Sequence, residues 1–391
     1  MRLLYILNVA NRVNNFSYAA MLAAKELGIE FYIAGKWGYA SDAEREADAR
    51  TNGIHVIQLD LDRSPYSPQN RVAYRQICDL IRTEHIDAIH CNTPVGGMLG
   101  RLAGAACGVQ KVIYQAHGFH FYKGASLFNW CTYYPVEKWL AHKTDALITI
   151  NHEDYDLACR KMKLRRGGSV YYVPGVGVDV KQYAASPRAR DAVRAELGLL
   201  PMDFVLVSAG RLEPIKNNGT LIAALQKTAC KQVKLLLCGE GEQRDALEQA
   251  ARDGGVSDRV VFAGNRSDMP SVYAASDALA LASYQEGLPR TVMEAMACGL
   301  PCVVSAIRGN TDLIAAGENG FVCAPRDADA YAAAMDALAR DGALCRTFGE
   351  NNRKKICDFD VSVVKARMMQ IYGAALLGRK EQHENTAFAA K

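Results

Sequence analysis

Two doubly wound α/β domains in tandem are the fold class this sequence predicts, on three observations. Short apolar runs recur along the 391 residues with amphipathic stretches between them. That alternation is the pattern of a parallel sheet wrapped by helices, and it breaks once, near residue 180, before restarting. The chain is also too long for one ordinary core.

In the first half, residues 3–9, 30–34, 54–59, 88–90, 111–115, 146–150 and 169–173 read as buried strands, and 18–28 and 73–84 as helices among them. In the second half the strands are 204–208, 233–237, 260–262, 278–282 and 301–305, with helices near 217–228, 243–253 and 288–298. The polar, helix-poor stretch 174–187 predicts a hinge. The expected organisation is therefore a first domain over 1–180 and a second over 181–357. A helix over 358–378 follows and is expected to return to the first domain, and the aperiodic tail 379–391 reads as mobile. Such sheets bind ligands at their strand ends, so two domains facing each other would share a cleft.

Composition narrows the partners. The net charge of +4 is small for this length and the basic residues are interspersed with acids, which excludes a nucleic-acid binder. The twelve cysteines are scattered singly from Cys78 to Cys357; the closest pair, Cys298 and Cys302, lacks the spacing of a zinc ribbon or redox motif. A reduced, cytoplasmic protein is expected. The apolar start of the chain runs into polar Asn11, Arg12, Asn14 and Asn15 with no cleavage-like end, so it reads as the first strand and not a signal peptide. No apolar stretch reaches the ~20 residues that cross a bilayer.

The richest segment is Ser283-Tyr-Gln-Glu-Gly-Leu-Pro-Arg-Thr-Val-Met-Glu-Ala-Met-Ala-Cys-Gly-Leu-Pro. It leaves a buried strand, turns at Glu286-Gly287 and opens a helix expected at Leu288. A helix N-terminus stabilises an anion through free N–H groups and its dipole, and Gly287 permits close backbone approach. Glu286 and Glu294 lie eight residues apart, near one helical face; they could accept hydrogen bonds from hydroxyls at two ends of a nucleotide sugar. The spacing equally fits an acidic pair on a solvated face. A second cluster, Gly210-Arg-Leu-Glu-Pro-Ile-Lys-Asn, sets Arg211 and Lys216 across a turn where both could meet a diphosphate, though a solvated basic loop fits as well.

Together these motifs resemble the signature of the large family-4 retaining glycosyltransferases, the glycosyl transferases group 1, of the two-domain Rossmann-like GT-B type. The resemblance runs from about Met1 to Leu377. It implies that Glu286 contacts the donor sugar's hydroxyls, that the N–H groups of Gly287 and Leu288 touch sugar or phosphate, and that Glu294 holds the ribose. It further implies that Arg211 and Lys216 stabilise the departing nucleoside diphosphate. Gly239-Glu-Gly-Glu, which carries Gly239 and Gly241, resembles a loop around the nucleotide; so do Phe262-Ala-Gly-Asn and Gly309-Asn-Thr-Asp. The last departs from the family's usual Gly-Gly and Glu by Asn310 and Asp312, which leaves its contact open.

In the first domain, Gln115-Ala-His-Gly-Phe-His follows a strand, so His117 and His120 emerge at a strand end. By resemblance, His117 contacts the donor sugar near the reacting carbon, and His120 is a secondary candidate. His90-Cys-Asn-Thr-Pro-Val-Gly-Gly, Phe119-His-Phe-Tyr-Lys and Tyr134-Pro-Val-Glu-Lys resemble the bacterial branch that builds capsule, exopolysaccharide and other lipid-linked glycans. The first loop lacks the glycines common in relatives, so Asn11 and Asn15, with Lys123, are expected on the acceptor side.

The resemblance implies retention of configuration by same-face attack, a donor that is a UDP-linked hexose or N-acetylhexosamine, and a lipid-linked sugar acceptor. An epimerase of the same architecture and a transferase using a small soluble acceptor are the alternatives. A nicotinamide dehydrogenase is disfavoured because no strand leads into GxGxxG. Asp60-Leu-Asp62 matches a metal-binding DxD only by chance of spacing, and no metal or other cofactor is expected.

Over 111–167, nine Lys or Arg face five Asp or Glu. Phe119, Phe121, Phe128, Trp130, Tyr133, Tyr134 and Trp139 alternate there with Lys123, Lys138 and Lys143, ahead of Lys161, Lys163, Arg165 and Arg166. Rings and cations together predict peripheral contact with an anionic inner membrane face. The competing reading is that most of these rings are core.

Overall fold

The computed structural model describes residues 1–10, 13, 15–38, 40–183 and 187–379, the side chains of residues 15, 187 and 188 excepted. The chain divides into two compact units: Met1–Gly177 together with the segment from Ser362 onward, and Val178–Val361.

The first unit alternates strand and helix: β1 (Arg2–Val9), α1 (Asn15–Glu26), β2 (Glu30–Lys36), α2 (Asp42–Asn52), β3 (His55–Gln58), α3 (Gln69–Thr83), β4 (Ala88–Asn92), α4 (Pro94–Ala106), β5 (Lys111–Ala116), α5 (Leu127–Ala141), β6 (Ala146–Thr149), α6 (His152–Lys161) and β7 (Ser169–Tyr172). The strands form one sheet in the order β3-β2-β1-β4-β5-β6-β7, and every pair is parallel. Parallel pairing needs a crossover between successive strands, and the crossover helices cover both faces. Leu3 to Leu7 is accordingly buried without alternation.

The packing of α4 shows how close that cover is. A Cβ on Gly97 would lie 2.3 Å from the ring of Tyr114 on β5, so only glycine lets the helix sit there. Beside it Arg101 is 1% exposed. Its guanidinium lies 3.7 Å over the Tyr114 ring and forks onto Glu137 of α5 at 2.8 and 3.0 Å. One buried cation thus fastens α4, β5 and α5 together.

The second unit holds α7 (Pro187–Glu196), β8 (Phe204–Ala209), α8 (Asn218–Lys227), β9 (Val233–Cys238), α9 (Arg244–Asp253), β10 (Val260–Gly264), α10 (Met269–Ala275), β11 (Ala278–Leu281), α11 (Arg290–Cys298), β12 (Cys302–Ser305), α12 (Asn310–Leu313), β13 (Gly320–Cys323), α13 (Ala328–Arg340) and α14 (Gly342–Lys355). Its sheet runs β10-β9-β8-β11-β12-β13, again parallel throughout. The strand β13 is not among those expected from sequence: it lies at the sheet edge, opens on Gly320 and has its two middle residues only partly buried, so no clear apolar run marks it. The stretch 174–187, read as helix-poor, contains a one-turn helix at Val180–Tyr183; residues 184–186 of it lie outside the described residues.

The last helix, α15 (Val361–Leu377), joins the first unit. Tyr372 meets Nδ1 of buried His90 on β4 at 2.7 Å, and Lys365 pairs with Glu26 of α1. Residues 380–391, most of the tail read as mobile, lie outside the described residues. Among the described residues no helix is long and apolar enough to cross a membrane.

Replacing Glu137 by Leu strands the Arg101 charge in the interior and should cost about 3–5 kcal/mol in urea unfolding. The Arg101→Met/Glu137→Leu pair should recover most of that loss. A single-variant cost under about 1 kcal/mol would place the pair among ordinary surface bridges.

Candidate functional site

A doubly wound sheet opens its ligand crevice where the strand order reverses. In the second unit the reversal falls between β8 and β11, and the loops that leave these two strands carry the predicted donor residues. Lys216 Nζ lies 2.7 Å from Glu286 Oε1, and Ser283 Oγ donates to the same oxygen at 2.7 Å. Two residues seventy positions apart are therefore one ion pair, with Glu286 about one-eighth exposed. The solvated-loop reading of Lys216 fails. Arg211 is more open, 64% exposed, and pairs with Glu213 at 2.5 Å.

The neighbouring loops pack backbone on backbone. Gly239, at φ +144, sits so close to the β8 loop that a Cβ there would fall 2.0 Å from Gly210 O. Its own N–H donates to Gly264 O at 2.8 Å, so Gly239 shapes this edge and its amide is already engaged. Gly241 lies against the carbonyl of Leu212 in the same manner. From β12, buried Arg308 donates through Nε to Glu286 O at 3.3 Å, and Gly309 rests on the carbonyl of Gly287. In the loop left open by sequence, Asn310 Nδ2 donates to Ser305 and Asp312 accepts from Gly309 N–H at 2.9 Å, while buried Asn310 Oδ1 has no hydrogen-bond partner among the described residues. Arg308 is a site residue that sequence reading missed; its only signal was a lone Arg before Gly309.

The helix after Glu286 starts at Arg290 and not at Leu288, because Pro289 is held in an extended conformation. Gly287 and Leu288 therefore precede the helix, and Glu294 lies about one turn inside it. Glu294 is 6% exposed. Its carboxylate takes the Tyr183 hydroxyl at 2.8 Å, the Tyr273 hydroxyl at 2.9 Å and Arg290 at 2.7 Å. Burial, then the carboxylate's negative charge, push both tyrosine hydroxyls well above their ordinary pKa. The acidic pair splits into two environments, one loop carboxylate at the switch point and one clamped carboxylate in a helix.

In the first unit the reversal lies between β1 and β4. Thr93, just past β4, holds φ +64 and ψ 162, a region that costs a β-branched residue of order 1–3 kcal/mol. Asn92 Nδ2 donates to Ile6 O at 3.3 Å, which turns Oδ1 toward His117 Nε2 at 3.0 Å. His117 Nε2 thus carries the proton and Nδ1 the lone pair. Nδ1 is buried and has no hydrogen-bond partner among the described residues. Burial pushes the His117 imidazolium down to about 4. The loop after His117 is tied to α6 by Phe119 N–H donating to Asp154 Oδ2 at 3.0 Å.

The other candidates on this side are less engaged with the site. His120 packs its ring 4.7 Å from that of Tyr133. Lys123 is exposed and bonds Glu153 through its backbone N–H. Asn11 lies outside the described residues; Asn15 opens α1, but its side chain is also outside them. Asp60 accepts from Gln76 at 2.8 Å, and Asp62 accepts from Ser64 N–H, which helps hold its carboxyl below the usual range. Among the described residues no three His, Cys, Asp or Glu gather closely enough to hold a metal ion. The aromatic segment is mostly core: Phe119 and Phe121 are buried, and Trp130, Tyr133 and Tyr134 pack on the same cluster. Phe128 and Trp139 remain exposed, while Arg165 is bonded to Asp145 at 2.9 Å.

Two doubly wound parallel sheets, one with a cation–carboxylate pair at its switch point and the other with a buried histidine near its own, make the GT-B fold of glycosyltransferases. Residues 189–355 match the glycosyl transferases group 1 family and 39–151 the glycosyl transferase 4-like family. The putative glycosyltransferase EpsD of Bacillus subtilis is 39% identical over 358 residues, 90% of each chain. The UDP-Gal:alpha-D-GlcNAc-diphosphoundecaprenol alpha-1,3-galactosyltransferase of Escherichia coli is 30% identical over 284 residues, 71% of this chain and 72% of its own. The chain belongs to the glycosyl transferases group 1 family. Its fold matches that of Anabaena HepE, solved with UDP and glucose, at a TM-score of 0.78 and 23% identity over 96% of this chain and 100% of that one. It also matches WaaG, a glycosyltransferase involved in lipopolysaccharide biosynthesis, at a TM-score of 0.71 and 18% identity over 94% and 99%.

His117 and His90 set a pH dependence. Burial depresses His117 to about 4 and His90 to about 3, whereas an unfolded histidine titrates near 6.5. The unfolded chain binds these protons first, so the stability linked to them is full above pH 6.5 and falls as pH drops toward 4 and then 3. Histidine NMR should find the His117 ring neutral from pH 8 to 5. A midpoint near 6.5 would contradict the buried, singly bonded ring.

Proposed function

We propose that this glycosyltransferase moves a hexose or N-acetylhexosamine from a UDP-sugar to a lipid-linked intermediate of capsule, exopolysaccharide or related surface-glycan synthesis, with retention of configuration and without a metal ion. The observation that carries the reading is the Lys216–Glu286 pair at the switch point of the second sheet. A lysine ammonium has three donors, so Lys216 can keep Glu286 and still meet a phosphate oxygen. Arg211, on the same loop and largely exposed, reaches the diphosphate from solvent. Glu286 accepts hydrogen bonds from the donor sugar's hydroxyls, and Glu294, fixed by two tyrosines, takes the ribose. In the first unit, the Nδ1 lone pair of neutral His117 is an acceptor for a sugar hydroxyl.

In the reaction the bond from the anomeric carbon to the diphosphate breaks and the acceptor oxygen bonds to that carbon on the same face. The departing phosphate oxygen takes the acceptor's proton. Lys216 and Arg211 stabilise charge as it builds on the leaving group, the role a metal plays elsewhere. The names of relatives support the substrate classes: UDP and glucose accompany HepE, and the E. coli relative is named for UDP-Gal and a diphosphoundecaprenol-linked acceptor. Peripheral membrane contact is part of the proposal, through exposed Leu127 and Phe128 at the start of α5 and the basic residues Lys161, Lys163 and Arg166.

Lys216→Ala should lower kcat/KM by the equivalent of roughly 2–4 kcal/mol, with EDTA leaving the wild-type rate nearly unchanged. Nucleoside diphosphate should appear only with an acceptor, which an epimerase would not require. Wild-type turnover in the folded variant overturns the donor assignment. Separately, the protein should sediment with anionic vesicles at low salt and less so when Lys161, Lys163, Arg165 and Arg166 are neutralised together. Protein that stays in the supernatant removes the membrane contact.

A further inference from the structure

A groove of about 1030 Å³ runs along α4 in the first unit, between α3 and the end of α5, and His117 is not among its lining residues. Pockets for small molecules span on the order of 300–1,000 Å³, so this one is large enough for an extended ligand. Its floor is α4, through Met98, Leu102 and the small residues Ala105 and Ala106. Tyr66, 83% exposed, and Trp139, 53% exposed, stand at its sides. Large aromatic rings this open along an apolar furrow mark a place where something apolar is received.

The charges of the groove are of one sign. Arg71 and Arg75 lie on the first turns of α3 and Lys143 follows α5, and no carboxylate lines the groove. None of the three cations forms an ion pair among the described residues; Lys143 lies 5.0 Å over the ring of Trp139. Their placement along the groove is informative. Asp60, just past the end of β3, accepts from Gln76 on α3 at 2.8 Å. The turns of α3 before Gln76, with Arg71 and Arg75, therefore project beyond the C-terminal edge of the sheet, the edge on which His117 stands. Trp139 and Lys143 precede β6 and lie toward the opposite edge.

An anion at the sugar side with a long apolar body trailing along α4 is the chemistry these residues recognise. We propose that the groove binds an isoprenoid phosphate, the phosphate meeting Arg71 and Arg75 and the hydrocarbon chain lying between Tyr66, Met98, Leu102 and Trp139. It would hold the carrier end of the acceptor while the acceptor sugar reaches the strand ends. This rests on the lipid-linked acceptor proposed above. A single chain is favoured over a bilayer surface because the apolar residues form a furrow, and forked guanidinium groups suit one phosphate.

The test is calorimetry of the full chain with farnesyl phosphate, kept below its micellar concentration, beside farnesol and inorganic phosphate. Farnesyl phosphate should bind, and each half alone should bind at least tenfold more weakly. Arg71→Glu/Arg75→Glu and, separately, Leu102→Gln should each weaken farnesyl phosphate at least tenfold. Neither change should alter binding of UDP, and sedimentation with phosphatidylglycerol vesicles should be unchanged. Failure of farnesyl phosphate to bind, or equal binding by the variants, overturns the groove assignment. Groove variants that release the protein from vesicles while farnesyl phosphate does not bind would assign the face to the bilayer. Failure of the wild-type protein to bind UDP would instead strike the donor reading, so the two failures are separable.

Discussion

Parallel pairing of every strand is the constraint on which the molecule depends. A parallel neighbour can be reached only by a crossover, so each strand hands the chain to a loop at the same edge of its sheet and recovers it at the other. All the residues that could meet a ligand are thereby delivered to one edge of each unit. Where the order reverses, adjacent loops depart in opposite directions and leave a gap. In the second unit Lys216 and Glu286 span that gap; in the first, Asn92 and His117 stand beside it. The chemistry follows from the winding.

Much of this was legible in the sequence, and the parts that were not share a cause. Strands such as β1 and β8 are long enough to be read from apolar runs, and the loops after them carry residues of distinctive type. The strand β13 is an edge strand that opens on Gly320 and is only partly buried in its middle, and the start of α11 is displaced by Pro289, so neither boundary is written in periodicity. Glu294 was visible, but its partner Tyr183 lies 111 positions earlier, in a stretch that reads as irregular. Arg308 is buried against a backbone carbonyl, a contact without a sequence pattern. The aromatic segment exposes the same limit: Phe121 and Trp139 have similar composition around them, and only the packing of α5 decides that one is interior and the other open.

Buried polar groups recur where the packing must be specific. Arg101 with Glu137, His90 with Tyr372, and Glu294 with Tyr183 and Tyr273 each join segments distant in sequence. An apolar interior tolerates sliding, whereas a hydrogen bond of this kind exists at one register only. These contacts orient the helices that carry the site loops.

The hydrogen bond between His90 and Tyr372 has a consequence for synthesis. The first unit is interrupted in sequence: the second is inserted between Gly177 and Ser362, and the two crossings of the chain are paired, with Val178 N–H donating to Phe359 O and Val361 N–H to Val178 O, each at 3.1 Å. On a ribosome, the whole second unit emerges before α15 does. The β4 histidine must then wait through 282 residues of translation for its tyrosine, and the first sheet, complete at β7, spends the whole synthesis of the second unit without the helix that closes it. The domain begun first is the domain finished last, and its incomplete form is the one exposed to proteases and chaperones.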